Sequence, residues 1–185
     1  MNTLRSPQYV ALDRDGTVIE YVPYLKRCQD VHLTSGSGEA IAKLNRRGIP
    51  VVLVTNQSVI SRRALTMRSL DEIHRKMSEL LNEHAAHLDA ILVCPHTAWD
   101  RCTCRKPLPG LLARYLKERG LEGRQGYVVG DNITDIELAL SIGAKPMHVQ
   151  GGVHSRSEII ASYAEVTSVS NLGNAVNLIL GEADS

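Results

Sequence analysis

Short apolar runs alternate along the chain with stretches of helical period. Tyr9-Val10-Ala11-Leu12, Val51 to Val54, Leu88 to Val93, Tyr127 to Gly130, Met147 to Gln150 and Val166 to Val169 are the strand-like runs, rich in aliphatic and β-branched residues. Between them, apolar positions recur at helical spacing. Ile41, Ala42 and Leu44 are closed by Arg46-Arg47-Gly48, and Ile73, Met77, Leu80 and Leu81 follow Ser69-Leu70-Asp71-Glu72, a sequence that reads as a capping box. Leu111, Leu112, Tyr115 and Leu116 predict a helix over Pro107 to Gly120, and Ile133, Ile136, Leu140 and Ile142 predict another that Gly143 stops. Ser155-Arg156-Ser157-Glu158 opens a further helix, and Leu172, Val176 and Ile179 mark the last. Alternation of this kind predicts an α/β fold, a doubly wound parallel sheet with helices on both faces.

One stretch breaks the rhythm. Val18 to Asp30, with Pro23 inside it, has no helical period and is long for a loop, which points to function. The polar residues that matter most lie where strand-like runs end. The first run stops at Asp13-Arg14-Asp15-Gly16-Thr17, the second at Thr55-Asn56-Gln57-Ser58, and the fourth at Asp131, with Asp135 four residues on. In an open parallel sheet that edge is where ligands bind. Taken one at a time, each cluster is equally well a solvated turn or a helix cap. Together they predict one site.

Length and composition narrow the class without naming a reaction. At 185 residues the chain is expected to form one domain, residues 1–185. Its 21 basic and 20 acidic residues leave a formal charge of +1, so no global field draws nucleic acid or a membrane. No long apolar span and no leader pattern in Met1 to Gln8 appear, and a cytoplasmic monomer acting on a small molecule is expected.

The acids Asp13, Asp15, Asp131 and Asp135 crowded at one edge require a cation among them, and Mg²⁺ suits oxygen ligands beside phosphate. Thr55, Asn56 and Lys106 supply hydrogen bonds and charge for phosphate oxygens. The chemistry is then phosphoryl transfer, with Asp13 as nucleophile and Asp15 as the group that protonates the leaving alcohol and later activates water.

In order along the chain, Asp13-Arg14-Asp15-Gly16-Thr17, Thr55-Asn56-Gln57, Lys106 and Gly130-Asp131 with Asp135 resemble the four motifs of the haloacid dehalogenase (HAD) phosphatases. That resemblance implies Asp13 as nucleophile, Asp15 as acid and base, and Mg²⁺ held by Asp13, the Asp15 carbonyl and Asp131. Arg14 and Asp135 support the site.

Cys94, His96, Cys102 and Cys104 are spaced to close on one ion, giving a tetrahedral zinc site with no open position, hence a structural one. The alternative is unrelated reduced thiols beside a turn histidine. Arg105-Lys106-Pro107 directly after this cluster resembles the capless HAD branch of heptose-bisphosphate and histidinol-phosphate phosphatases. The intervals from Asp15 to Thr55 and from Thr55 to Lys106 leave no room for a cap domain. Substrate choice is therefore expected from loops: Tyr21 to Tyr24, Gln57 and Ser58 through Arg63, the zinc loop and Arg105. Asn132 stands where this branch often carries a basic residue, and Val59 where it usually has glycine. A sugar bisphosphate is the expected substrate, with histidinol phosphate or another sugar or cyclitol phosphate as alternatives. From another class, a phospho-accepting signalling module also combines a strand-end Asp with Thr and Lys, although it has no use for Asp15. No role is expected for Cys28 or for the histidines outside the cluster, His74 and His154 among them.

Overall fold

The computed structural model describes residues 7–150 and 155–181. Most of the polar lead Met1 to Gln8, and His154, lie outside these residues. Six strands form one all-parallel sheet: β1 (Tyr9–Leu12), β2 (Val51–Asn56), β3 (Ala90–Cys94), β4 (Gly126–Gly130), β5 (Lys145–Val149) and β6 (Thr167–Val169), in the order β3-β2-β1-β4-β5-β6. Five α-helices cross between them, α1 (Ser37–Arg46), α2 (Met67–Glu83), α3 (Gly110–Arg119), α4 (Ile133–Ser141) and α5 (Arg156–Ser162), and α6 (Leu172–Leu180) follows β6. This is the expected doubly wound α/β fold. Between β1 and α1, and between β2 and α2, no folded unit is inserted beyond the 3-10 turn Cys28–Asp30.

The central strands are apolar on both faces because helices cover both. Val10 and Leu12 of β1 pack with Ile41, Leu44, Ile73 and Met77 beneath α1 and α2. Tyr9 and Ala11, pointing the other way by the two-residue period, pack with Leu112, Tyr115 and Leu138 beneath α3 and α4. Strand order reverses between β1 and β4, and that switch point opens a crevice at the C-terminal ends of the strands. None of the described helices is long and apolar enough to cross a membrane.

Several element boundaries differ from expectation by one to three residues, and four differences have a local reason. Helix α2 is capped by Thr66, whose side chain accepts from the Ser69 N–H, so Ser69 sits one turn inside the helix instead of opening it. Helix α3 starts at Gly110, because Leu108 and Pro109 are spent on the turn that follows Pro107. Strand β3 runs Ala90–Cys94 and carries Cys94 in its ladder, paired with Asn56. In α4 the inward residues are Asp135, Ile136, Leu138 and Ala139, while Leu140 is exposed and Ile142 is the C-cap. A polar residue on the buried face, Asp135, shifts the stripe away from the one the aliphatic residues trace.

Candidate active site and metal cluster

Lys106 is the hub of the crevice. Its Nζ donates to Asp13 Oδ1 at 2.6 Å, Asp135 Oδ1 at 2.7 Å and the Val54 carbonyl at 2.7 Å, and only 4% of the residue is exposed. Three oxygen acceptors use all three ammonium protons. Burial works to lower the Lys106 pKa, but Asp13 and then Asp135 outweigh it, and the net shift is upward. Burial presses the Asp135 carboxyl the opposite way, up to about 7, against Lys106 and with Asp13 and Asp131 adding to the rise. With Lys106 Nζ only 2.7 Å away, we take the pair as ionised.

The Asn56 side chain holds the main chain of this hub in place. Asn56 Oδ1 accepts from the Lys106 N–H at 3.0 Å while its Nδ2 donates to the Lys106 carbonyl at 3.1 Å. The strand-end amide expected to meet phosphate thus clamps the lysine main chain, although Asn56 still lines the crevice. Asp135 also accepts from the Asn132 N–H and, with the Asn132 side chain bonding Thr134, closes a capping box at the start of α4. Gly130 is required where it stands, because a Cβ there would run into the Asp135 carboxylate.

Asp13, Asp131 and Asp135 are all buried, and each places a carboxylate oxygen within 4.8 Å of the others. Such a group repels itself unless a cation joins it. Its donor set of hard oxygens fits Mg²⁺. Asp15 lies apart from that cluster. Its two oxygens take hydrogen bonds from Arg14 Nη2 at 2.9 Å each, Arg14 Nε adds one at 3.2 Å, and Gln57 Nε2 donates to Oδ2 at 3.1 Å. The Asp15 side chain is 23% exposed and faces the crevice.

The crevice holds about 220 Å³ and is lined by Asp13, Asp15, Tyr21, Thr55, Asn56, Arg105, Lys106, Asp131, Asn132 and Thr134. A second hollow of about 310 Å³ shares Asp15, Tyr21 and Asn56 with it and continues past Arg14, Tyr24, Gln57, Ser58 and Arg62. Every expected site residue outside the cysteine cluster lines one hollow or the other, apart from Asp135, which lies beneath Lys106. A third hollow of about 450 Å³, at the opposite edge of the sheet beside Arg124 and Lys145, holds none of these acids.

Cys94, His96, Cys102 and Cys104 also converge, with their ligand atoms within 4.8 Å of one another. The separations are 3.7 Å for Cys94 Sγ to His96 Nδ1, 3.7 Å for Cys94 Sγ to Cys102 Sγ, 3.2 Å for Cys104 Sγ to Cys94 Sγ and 3.1 Å for His96 Nδ1 to Cys104 Sγ. A tetrahedron with zinc–ligand bonds of about 2.0–2.3 Å has edges of about 3.3–3.8 Å; two separations lie in that range and two just below it, so small side-chain shifts would close the four on one ion. Burial pushes the Cys94 thiol up to about 12, so a bound metal would have to displace its proton. Arg105 Nη1 donates to the His96 carbonyl at 3.1 Å, tying that guanidinium to the metal loop. Ser61 N–H bonds the Pro95 carbonyl at 3.1 Å and Gln57 N–H the Cys94 carbonyl at 2.7 Å, so the loop after β2 and the metal loop lean on each other.

The arrangement missed in sequence lies behind Arg14. That residue is 2% exposed, and its Nη1 meets His74 Nε2 of α2 at 3.2 Å. At helical spacing His74 looks like a packing residue, and only the fold brings it to Arg14.

Comparison with known proteins agrees with this geometry. Residues 103–175 match a family model described as HAD-hydrolase-like. A D-glycero-beta-D-manno-heptose-1,7-bisphosphate 7-phosphatase of Pseudomonas putida is 38% identical over 149 residues, covering 79% of this chain and 84% of its own. The histidine biosynthesis bifunctional protein HisB of Legionella pneumophila is 36% identical over 135 residues, which are 71% of this chain and 38% of that longer protein. The crystal structure of D,D-heptose 1,7-bisphosphate phosphatase from B. bronchiseptica complexed with magnesium and phosphate superposes with a TM-score of 0.86 at 31% identity, over 95% of this chain and 99% of that one.

Proposed function

We propose that this chain, which belongs to the HAD-like phosphatase family of those relatives, hydrolyses the 7-phosphate of a heptose 1,7-bisphosphate. The observation that carries the substrate is the pair of joined hollows. One contains Asp13 and Lys106, and the other runs from Asp15 and Tyr21 to Arg62, a cation placed for a second phosphate. A sugar carrying two phosphates has a use for both, whereas a monophosphate has a use for one.

Asp13 attacks phosphorus through its carboxylate oxygen. The bond from phosphorus to the sugar oxygen breaks as Asp15 gives that oxygen its proton. Asp15 then takes a proton from water, which attacks phosphorus, and the bond to Asp13 breaks to free inorganic phosphate. Lys106 holds Asp13 in line at 2.6 Å and offsets its charge. Thr55 and Arg105 face the phosphate oxygens. Mg²⁺ would be held by Asp13, the Asp15 carbonyl and Asp131, and when bound it would neutralise charge on the transferred phosphoryl group. Zn²⁺ would be held by Cys94, His96, Cys102 and Cys104, fixing the loop that leads into Arg105 and Lys106. Membership of a hydrolase family removes the support for a phospho-accepting signalling module.

A second reading, histidinol phosphate, is favoured by the HisB match and by the five-residue interval between His96 and Cys102. Phosphate release measured in parallel on heptose 1,7-bisphosphate, the corresponding monophosphates and histidinol phosphate separates the two. The bisphosphate is expected to give the highest kcat/KM by tenfold or more, on the order of one lost charged contact. Faster turnover of histidinol phosphate would overturn the assignment.

A further inference from the structure

We infer that His74 is a positioning residue for catalysis, holding the Arg14 guanidinium so that Arg14 in turn fixes the carboxyl of Asp15. This rests on Asp15 as the proton carrier. Arg14 is unusual in lying 2% exposed while carrying a full charge, and its satisfied bonds run in two directions only. Toward the crevice it grips both oxygens of Asp15, and away from it Nη1 meets His74 Nε2 at 3.2 Å. A guanidinium has donors and no acceptor, so the contact requires Nε2 to accept and the ring proton to sit on Nδ1. The imidazole must therefore be neutral. Burial first, and the Arg14 charge second, push its pKa down to about 4, which agrees.

The placement is directional. Asp15 and Arg14 are neighbours in sequence beyond the end of β1, where Gly16, in the left-handed region at φ 76°, turns the chain away. Arg14 meets Asp15 with Nε and Nη2 and leaves Nη1 to His74, so α2 anchors the guanidinium from a separate element. His74 lies on the buried face of α2 with Leu70, Ile73 and Met77. Any of those apolar types would pack there, but none accepts a hydrogen bond from Arg14. Without the acceptor a buried Nη1–H is left unpaired, and the guanidinium can turn toward other partners.

The test compares His74→Leu, which keeps bulk and removes the acceptor, with His74→Gln, whose Oε1 restores one. Heptose 1,7-bisphosphate has a poor alkoxide leaving group that needs a proton, and p-nitrophenyl phosphate has a good one that does not. His74→Leu is expected to lower kcat/KM about tenfold to a hundredfold on the bisphosphate and under about threefold on the nitrophenyl ester, the scale of a misplaced catalytic group. His74→Gln is expected to recover most of the loss. Equal losses on both substrates, or a Gln variant no better than Leu, would overturn the inference, as would an unchanged Leu variant. Asp15→Asn is run beside them. If it discriminates between the two leaving groups while His74→Leu does not, the link through His74 fails and the reading of Asp15 stands. If Asp15→Asn does not discriminate either, that reading fails and takes the inference with it.

Discussion

The floor of the crevice and its rim are built on opposite terms. On the floor, Asp13, Lys106, Asp131 and Asp135 are all at most 9% exposed, and Lys106 bonds across three separate stretches of chain. On the rim, Tyr21 and Tyr24 are 51% and 68% exposed, and Trp99 of the metal loop stands 91% exposed. A buried charge must find partners or be neutralised, so the floor admits few residue types and few geometries. An exposed aromatic meets no such demand. On the proposed function, the reaction would depend on residues the fold constrains tightly, and substrate choice on side chains it barely constrains.

The comparison fails if floor substitutions act on affinity or rim substitutions on chemistry. The largest expected effect is Asp13→Asn, which removes the proposed nucleophile: steady-state phosphate release should fall by about a thousandfold or more while circular dichroism stays unchanged. A variant of normal rate would end the assignment of Asp13. The next concerns stability. His74 has its pKa lowered from 6.5 to about 4, so between those values the unfolded chain takes up a proton that the folded chain refuses. Stability should be undiminished by this group above pH 6.5, decline as pH falls toward 4, and level off below it, by about 3 kcal/mol at most. Urea titrations of wild type and His74→Leu across that range should show the variant lacking this part of the slope, and identical slopes would contradict it. The smallest effect belongs to the rim. Tyr21→Ala should raise KM a few-fold, about 1 kcal/mol, and leave kcat nearly unchanged. A large fall in kcat instead would move Tyr21 from rim to floor.

The same contrast explains what the sequence makes legible. Strand ends at Asp13, Thr55 and Asp131 are visible because apolar runs stop abruptly at polar residues, and a parallel sheet gathers such ends on one edge. Cys94, His96, Cys102 and Cys104 are visible because metal ligands are few in type and close in spacing. His74 and the clamp of Asn56 on Lys106 are not, since each joins residues 50 or more positions apart through a side chain whose direction depends on packing. Asp135 misled the reading of α4 in a related way. A carboxylate buried by an ion pair occupies the inward face, while Leu140, which the aliphatic pattern counts as inward, is exposed.

The two loops that lean on each other beside the crevice are joined main chain to main chain. The Ser61 and Gln57 amides bond the carbonyls of Pro95 and Cys94, and neither bond uses a side chain, so any residue but proline at 57 and 61 can supply the donor. The junction between the two loops is therefore set by the backbone and tolerates side-chain change on either side of it.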